Sequence, residues 1–357
     1  MEIKYKLKPE DILTLRECMV CSSADLSKLS SARITNDQGQ EFPFFETSIC
    51  NACSHIMRNK IPSEDWFLSQ FSLRDKIQRE SGFNPINNDV EEERYSRYQQ
   101  ISNSLKNDIL DTALYEINNV IDIGCGPGTG LKAWNDLGIN AKGIEPDESR
   151  ARHGINQGIE IDVITWMDFN ENLKKGTLLT SIQSLEHFYN PRQFLEHMRN
   201  LCKEEVMIYI EVPDALSFCE DWNDAIYLAH TSNFSLLSLT KLLNICGFNA
   251  VSRVNPYDSD SFNRENLCVI AYSGKGDNSL LSELEDDLDI NSYKEIFKER
   301  YSVKDDNKIN DSINSYCVEE INDLSLTYKR TNKIESSVRG NYGSREVKVR
   351  QGTAEVF

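Results

Sequence analysis

The chain is 357 residues long, 39% hydrophobic and 27% charged, which supplies a buried core and more length than one core normally organises, so two or more units are expected. Asp and Glu number 57 against 39 Lys and Arg, and a net charge of -18 repels polyphosphate, so no long nucleic acid is expected as a partner. No apolar run is long enough to span a membrane, and the opening from Met1 to Leu13 lacks the apolar stretch of a secretory leader, which predicts a cytoplasmic protein.

In chain order, residues 1–74 carry two CxxC pairs, Cys18-Met-Val-Cys21 and Cys50-Asn-Ala-Cys53. Each knuckle turns two thiolates toward one point, and together they supply four sulfurs for tetrahedral Zn²⁺. With no ligand position left open, the metal is expected to be structural, in a small zinc ribbon, and His55 is not needed as a ligand. Phe42, Phe44 and Phe45, between the knuckles, are expected to pack rather than bind. The other six of the ten cysteines are scattered singly from Cys125 to Cys317 and read as reduced, mostly buried thiols.

Residues 75–119 form a connector, with a loop around Ser81 to Pro85 and a charged helical segment from Glu91 to Asn118. Residues 120–273 alternate strand-like and helix-like runs. Strands are expected at Val120–Ile123, Ala141–Glu145, Leu178–Leu185, Val206–Val212, Ala250–Val254 and Leu267–Tyr272, with helices such as Arg192–Cys202 and Leu236–Cys246 between most of them. That alternation predicts parallel pairing in a doubly wound, three-layer α/β domain. Residues 274–357 are polar. A linker precedes an acidic helical stretch from Ser279 to Tyr301, in which Leu281, Leu284 and Leu288 recur at helical spacing, and the end has little periodicity. This tail is expected to be mainly helical, partly disordered, and to pack on the domain or on a second copy of the chain.

The strongest signal is the run from Val120 to Gly130, in which Gly124, Gly126, Gly128 and Gly130 follow a strand and precede a helix. Side chains are excluded there so that a ligand can touch backbone, and the helix start favours an anion. Asp122 can accept from an ammonium group, so a zwitterionic amino-acid end fits the pair. The next strand ends in Glu145, placed to accept both hydroxyls of a ribose diol. Dinucleotide sites use a similar turn, but glycines continuing to Gly130 with Pro127 inserted depart from GxGxxG.

On these motifs the region from about Asp108 to Ser273 resembles the class I, Rossmann-like methyltransferases that use S-adenosylmethionine (SAM). The resemblance implies that Asp122, Gly124, Cys125, Gly126 and Gly128 hold the methionine end of SAM and that Glu145, followed by Pro146, holds the ribose. It places Asp168 on the adenine amine and Phe169 against the adenine ring, and it matches Leu185 to Pro191 to the motif after the fourth strand, with Ser184 beside the cofactor. Ser184 stands where a Tyr often precedes Glu-His in the nucleotide-sugar group.

Methyl transfer needs an aligned acceptor and a base, worth about 10²–10⁴-fold. Glu186 and His187 lie at the C-terminal end of a predicted strand, the edge where ligands bind in open α/β sheets, and His187 is the preferred base. Glu186 either orients that imidazole or binds an acceptor hydroxyl; capping of the next helix is the structural alternative for the pair. In related enzymes a His at the position of His230 lines the acceptor pocket; a helix-capping or surface histidine is the structural alternative. Tyr95, Tyr98 and Tyr189 reach the pocket or, more ordinarily, pack. Together with the N-terminal knuckles, the resemblance extends to bacterial methyltransferases of sugar, nucleotide-sugar and glycan biosynthesis, in which the module helps hold the sugar nucleotide. The expected acceptor is therefore a small molecule or glycan methylated on carbon or oxygen. O- or N-methylation of another metabolite, and a non-catalytic SAM-binding scaffold, are the rival readings.

Overall fold

The computed structural model describes residues 2–6, 12–35, 41–65, 68, 86, 88–111, 116–216, 230–257, 266–274, 278–286, 290–294 and 325–329. In chain order its elements are β1 (Glu2–Lys6), β2 (Ile12–Thr14), β3 (Leu26–Thr35), β4 (Glu41–Cys50), β5 (Ile56–Arg58), β6 (Lys60–Pro62), α1 (Asn88–Asp111), β7 (Asn119–Ile123), α2 (Thr129–Asp136), β8 (Asn140–Ile144), α3 (Glu148–Ile155), β9 (Glu160–Asp162) and β10 (Thr177–Ile182). A 3-10 turn (Leu185–His187) follows, then α4 (Pro191–Leu201), β11 (Met207–Pro213), β12 (Ser232–Asn233), α5 (Leu236–Ile245), β13 (Phe248–Arg253), β14 (Asn266–Ser273), α6 (Ser279–Asp286) and β15 (Ser325–Lys329).

Seven strands form the central sheet in the order β13-β14-β11-β10-β7-β8-β9. Pairing is parallel from β11 through β10, β7 and β8 to β9. The expectation of parallel pairing fails at β14, which is antiparallel to both β11 and β13. The reason is connectivity: no helix is described between β13 and β14, and without a crossover a returning strand runs antiparallel. Strand order reverses between β7 and β10, the switch point outside whose C-terminal ends α/β folds bind ligands. All six residues of β10 are buried, as befits a central strand covered on both faces.

The helices begin where short polar side chains can cap them. Asp147 accepts from the Ser149 N–H at 3.0 Å to open α3, and Asn190 accepts from the Gln193 N–H at 3.0 Å, with Pro191 next, to open α4. Ser235 and Ser238 form a capping box at α5. Core residues such as Ile123, Leu179, Phe194, Met198, Ile210 and Leu242 share one cluster with Cys18, Cys50 and Cys53, so the sulfur-rich segment packs directly on the α/β unit.

That junction is also a sheet. β3, β4 and β5 form an antiparallel set, and β12, from the other side of the chain, adds to the β5 edge by pairing Ser232 with Met57 and Asn233 with Ile56. The predicted helix from Glu91 to Asn118 is observed as α1 up to Asp111, with residues 116–118 non-helical, and the predicted loop around Ser81 to Pro85 lies outside the described residues. In the tail, α6 realises the start of the acidic helical stretch and residues 290–294 are helical too, so the described part of the extension is mainly helical, and β15 adds a short strand antiparallel to β1. Of the scattered cysteines, Cys125, Cys202, Cys246 and Cys268 are free and buried; Cys219 and Cys317 lie outside the described residues. Among the described residues no helix is long and apolar enough to cross a membrane.

Candidate active site

At the end of β7 the chain turns through Gly124, Gly126 and Gly128 with φ of 79°, 57° and 80°, a region that favours glycine. A Cβ on Gly124 would lie 2.8 Å from the Ser184 Cβ, so the cradle has no room for a side chain there. Asp122, just upstream, is buried and accepts from the Thr180 hydroxyl at 2.7 Å across the β7–β10 register. Burial and, less strongly, the Glu145 charge push its carboxyl up to about 7, against the opposing Thr180 bond. A buried carboxylate beside an open glycine turn is the acceptor that an ammonium-bearing ligand needs.

Glu145 is buried where β8 ends. Its Oε2 accepts from the Gly126 N–H at 2.8 Å and its Oε1 from the Asp147 N–H at 2.9 Å, which cinches the glycine turn to the second strand. Each oxygen retains a further lone pair, so a diol can still be accepted. Sequence reasoning missed Arg150: a Cβ at Gly126 would meet its guanidinium at 2.9 Å, and its charge opposes the burial that raises the Glu145 pKa. No motif marks it; it reaches the turn because α3 packs against β9 and lays Gly154 against the Pro127 carbonyl. Pro146 is partly exposed beside it.

Three cofactor-pocket expectations are altered by packing. Phe169 is 1% exposed in the core with Phe194 and Leu173, and its carbonyl lies 2.7 Å from His197 Nε2, so it presents no face to a ligand. Its neighbour Asp168 is exposed and accepts from the Thr165 hydroxyl at 2.6 Å, and the apolar side chains exposed in this segment are Val163 and Met167. Ser184 is buried, and its hydroxyl donates to the Ile123 carbonyl at 2.8 Å, stapling the ends of β10 and β7 across the switch point. The Cys125 sulfur lies inward beneath Gly143, which leaves the backbone of the turn as the surface a ligand meets.

The second cluster follows β10. Glu186 is 2% exposed, and burial pushes its carboxyl up to about 8 against the opposing charge of Arg97. His187 Nε2 stands 3.8 Å from Glu186 Oε1, too long for a hydrogen bond, so the carboxylate does not orient the imidazole through a direct bond in this state. The rings of His187 and His230 meet edge to face at 4.7 Å. Burial, His187 and Arg58 push the His230 imidazole well below its usual range, so it stands neutral at neutral pH. Ligating atoms of Glu186, His187 and His230 lie within 4.8 Å of one another, but the Arg58 charge acting on His230 opposes a cation there. Tyr98 packs against Gly130 near Asp122, and Tyr95 bonds Asp136 on the surface, away from the pocket.

In the sulfur cluster, Cys18 and Cys53 lie 3.6 Å apart and Cys21 and Cys50 3.5 Å apart, close to the roughly 3.8 Å edge of a tetrahedron with 2.3 Å metal–sulfur bonds. The knuckles close alike: Ser22 N–H donates to the Cys18 carbonyl and Ser54 N–H to the Cys50 carbonyl, both at 2.9 Å, with left-handed φ of 59° and 57°. Hydrogen bonds from Cys18 and Cys53 push the Cys50 thiol down to about 2, while the bond to Cys50 pushes Cys18 up to about 12. Cys53 is pushed up as well, chiefly by its hydrogen bonds with Cys18 and Cys50, so the charge concentrates on one sulfur that its neighbours' thiols stabilise. His55 is outside the quartet; it is fully buried against Phe234, and burial holds it at about 4.

Numbered from β7, the sheet reads 3-2-1-4-5-7-6, with the antiparallel seventh strand inserted. With a glycine cradle facing a buried acid at the switch point, fold and site define a class I, Rossmann-like SAM-dependent methyltransferase. A family model described as a methyltransferase domain matches residues 71–253, just over half of the chain, and the chain belongs to that family. No curated protein matches it. Among solved structures, a SAM-dependent methyltransferase from Archaeoglobus fulgidus is 18% identical over 48% of this chain and 94% of its own, with a TM-score of 0.37. Magnesium protoporphyrin IX methyltransferase from Synechocystis PCC 6803, with bound SAM, is 14% identical over 59% and 94%, with a TM-score of 0.36. An S-adenosylmethionine-dependent methyltransferase from Clostridium acetobutylicum is 10% identical over 58% and 100%, with a TM-score of 0.40.

Proposed function

We propose that this chain methylates a sugar, nucleotide sugar or glycan, on carbon or oxygen, and that Zn²⁺ held by Cys18, Cys21, Cys50 and Cys53 maintains the N-terminal sheet that backs the acceptor site. The observation that carries the reading is the placement of Glu186, His187 and His230 at the switch point beside the glycine cradle, with β5 of the sulfur-bearing sheet paired to β12 next to His230.

SAM supplies an electrophilic sulfonium methyl group. Asp122 holds the ammonium end, the backbone of the glycine turn receives the carboxylate, Glu145 accepts the ribose hydroxyls, and Asp168 with its exposed apolar neighbours Val163 and Met167 meets the base. His187, half-buried at the end of the 3-10 turn, takes the acceptor proton from a hydroxyl or from a carbon next to a keto group. Neutral His230 offers a hydrogen bond to the same acceptor, and buried Glu186 sets the polarity behind them.

The test is thermal stabilisation of the zinc-loaded protein by dTDP, UDP, GDP and CDP, each with S-adenosylhomocysteine present. A nucleotide-specific rise supports a nucleotide-sugar acceptor. No rise with any nucleotide, while S-adenosylhomocysteine alone stabilises, moves the acceptor to a finished glycan or another metabolite. Once an acceptor is found, His187→Ala is expected to lose turnover by about 10²-fold or more while still binding S-adenosylhomocysteine; retained turnover removes His187 as the base.

A further inference from the structure

We infer that Gln183, Glu211 and Arg97 form a positioning network that fixes the turn carrying Glu186 and His187 in its working geometry. The inference rests on the reading above that this turn acts on the acceptor.

Glu211 has no exposed surface and sits near the C-terminal end of β11, opposite Ile182 in register. Four donors converge on its carboxylate. Arg97, from α1, forms an ion pair with it; the Tyr209 hydroxyl donates at 3.0 Å, the Tyr257 hydroxyl at 2.5 Å, and the Gln183 amide at 3.2 Å. Arg97 Nε also donates to the Tyr257 hydroxyl at 2.9 Å, so the charge pair is closed by a neutral link. A buried pair so fully bonded holds its members to one arrangement.

What separates this network from plain core stability is Gln183. It is the first residue after β10, and it is held at a left-handed φ of 53° although it is not a glycine. Such a conformation persists only where the surroundings over-determine it, and it tends to occur at functional sites. Here the surroundings are Glu211 and Asn266: the Gln183 N–H donates to the Glu211 carbonyl at 2.8 Å, and its side-chain amide bridges the Glu211 carboxylate and, at 2.9 Å, the Asn266 side-chain Oδ1. The reversal at Gln183 drops Ser184 onto the Ile123 carbonyl and leads into the 3-10 turn at 185–187. Arg97 stands close enough for its charge to act on Glu186 as well as on Glu211, so the same guanidinium touches the electrostatics of both acids.

The test uses the full zinc-loaded chain in the variants Gln183→Ala and Arg97→Lys. S-adenosylhomocysteine affinity is measured by calorimetry, and ¹⁵N-histidine labelling reads the side-chain resonances of the five histidines. Both variants are expected to bind S-adenosylhomocysteine within about twofold of the parent, because the cradle is intact, while the His187 and His230 resonances move and those of His153 and His197 stay. With an acceptor in hand, kcat is expected to fall by about 10²-fold at unchanged KM for SAM, the scale of a roughly 1 Å misplacement. If Arg97→Lys fails to fold, Gln183→Ala carries the test alone. A folded Gln183→Ala protein with parental His187 and His230 resonances overturns the inference, leaving Glu211 and Arg97 a structural pair. Because the spectrum is read without an acceptor, failure to find turnover would count against the acceptor reading and not against the network.

Discussion

The Thr231 N–H donates to the Glu186 carbonyl at 3.0 Å, and the Arg58 N–H donates to the Thr231 carbonyl at 3.1 Å. A continuous backbone path thus runs from the second cysteine knuckle, through β5 and residue 231, to the turn that bears Glu186 and His187. A small ribbon has little core of its own, so on the proposed reading a metal held by the four cysteines would carry its folding. Chelation, or Cys53→Ser, is expected to abolish stoichiometric zinc in elemental analysis and to raise amide exchange at 56–58 and 231–233 by at least tenfold, while S-adenosylhomocysteine affinity changes little. Unchanged exchange at 231–233 would show that the acceptor side stands without the metal.

If Asp122 holds the ammonium end of the donor, as proposed, it sets the pH dependence of donor binding. Its carboxyl titrates at about 7 in the free protein, chiefly through burial, and a bound ammonium group favours the ionised form. Binding therefore releases a proton, and affinity for S-adenosylhomocysteine is expected to rise by up to about tenfold per pH unit below about 7 and to level off above it. Calorimetry in buffers of different ionisation enthalpy checks the proton release, and Asp122→Asn should flatten the slope.

Glu186 makes the opposite kind of statement, about stability. Its folded carboxyl titrates at about 8, against roughly 4.3 in an unfolded chain. Below about 4 both states hold the proton and the group contributes nothing. Between those values the unfolded chain releases its proton first, so stability falls as pH rises and stays low above about 8. Glu186→Gln is expected to raise Tm relative to the parent at pH 8, by up to a few kcal/mol in unfolding free energy as an upper bound, and to leave it unchanged near pH 4. Glu211, pushed up to about 7, tilts both proteins alike, so the parent–variant difference is the quantity to measure. A difference independent of pH would remove titration of Glu186 as its cause.

The glycines of the cradle are unequal. At Gly124 a methyl group meets the fixed Ser184 Cβ at φ 79°, whereas at Gly126, φ 57°, it meets only the end of the Arg150 side chain. Gly124→Ala should cost about 1–3 kcal/mol and impair S-adenosylhomocysteine binding. Gly126→Ala should cost less in stability, with Arg150 swinging aside. Equal Tm losses would contradict this packing account.

Features carried by short, contiguous patterns were legible from the residues alone: the glycine turn with Asp122, the acid Glu145 at the end of the next strand, the two CxxC knuckles, and the alternation that makes a doubly wound sheet. Each depends on backbone geometry within a few residues, so spacing suffices. The antiparallel β14 was missed because strand direction follows from how a connection crosses the sheet, which residue pattern does not encode. The family resemblance put Phe169 against the adenine ring, whereas the side chain is buried in the core, because the motif alone does not say whether an apolar residue after a strand faces pocket or core.

What only the tertiary structure decided is which distant groups meet. Arg97 and Tyr257 bond across 160 positions, and Ser54 and Ser235 across 181, because the sheet order brings α1 to β11 and the β5–β12 pairing brings the sulfur ribbon to the acceptor turn. The sequence by itself determined the donor cradle, the four sulfurs and the Glu186-His187 pair, since local backbone conformation is enough to form them. The charges behind that pair, and the strand that supports it, were decided by long-range packing, in which a residue's partner is set by where its element docks and not by its neighbours along the chain.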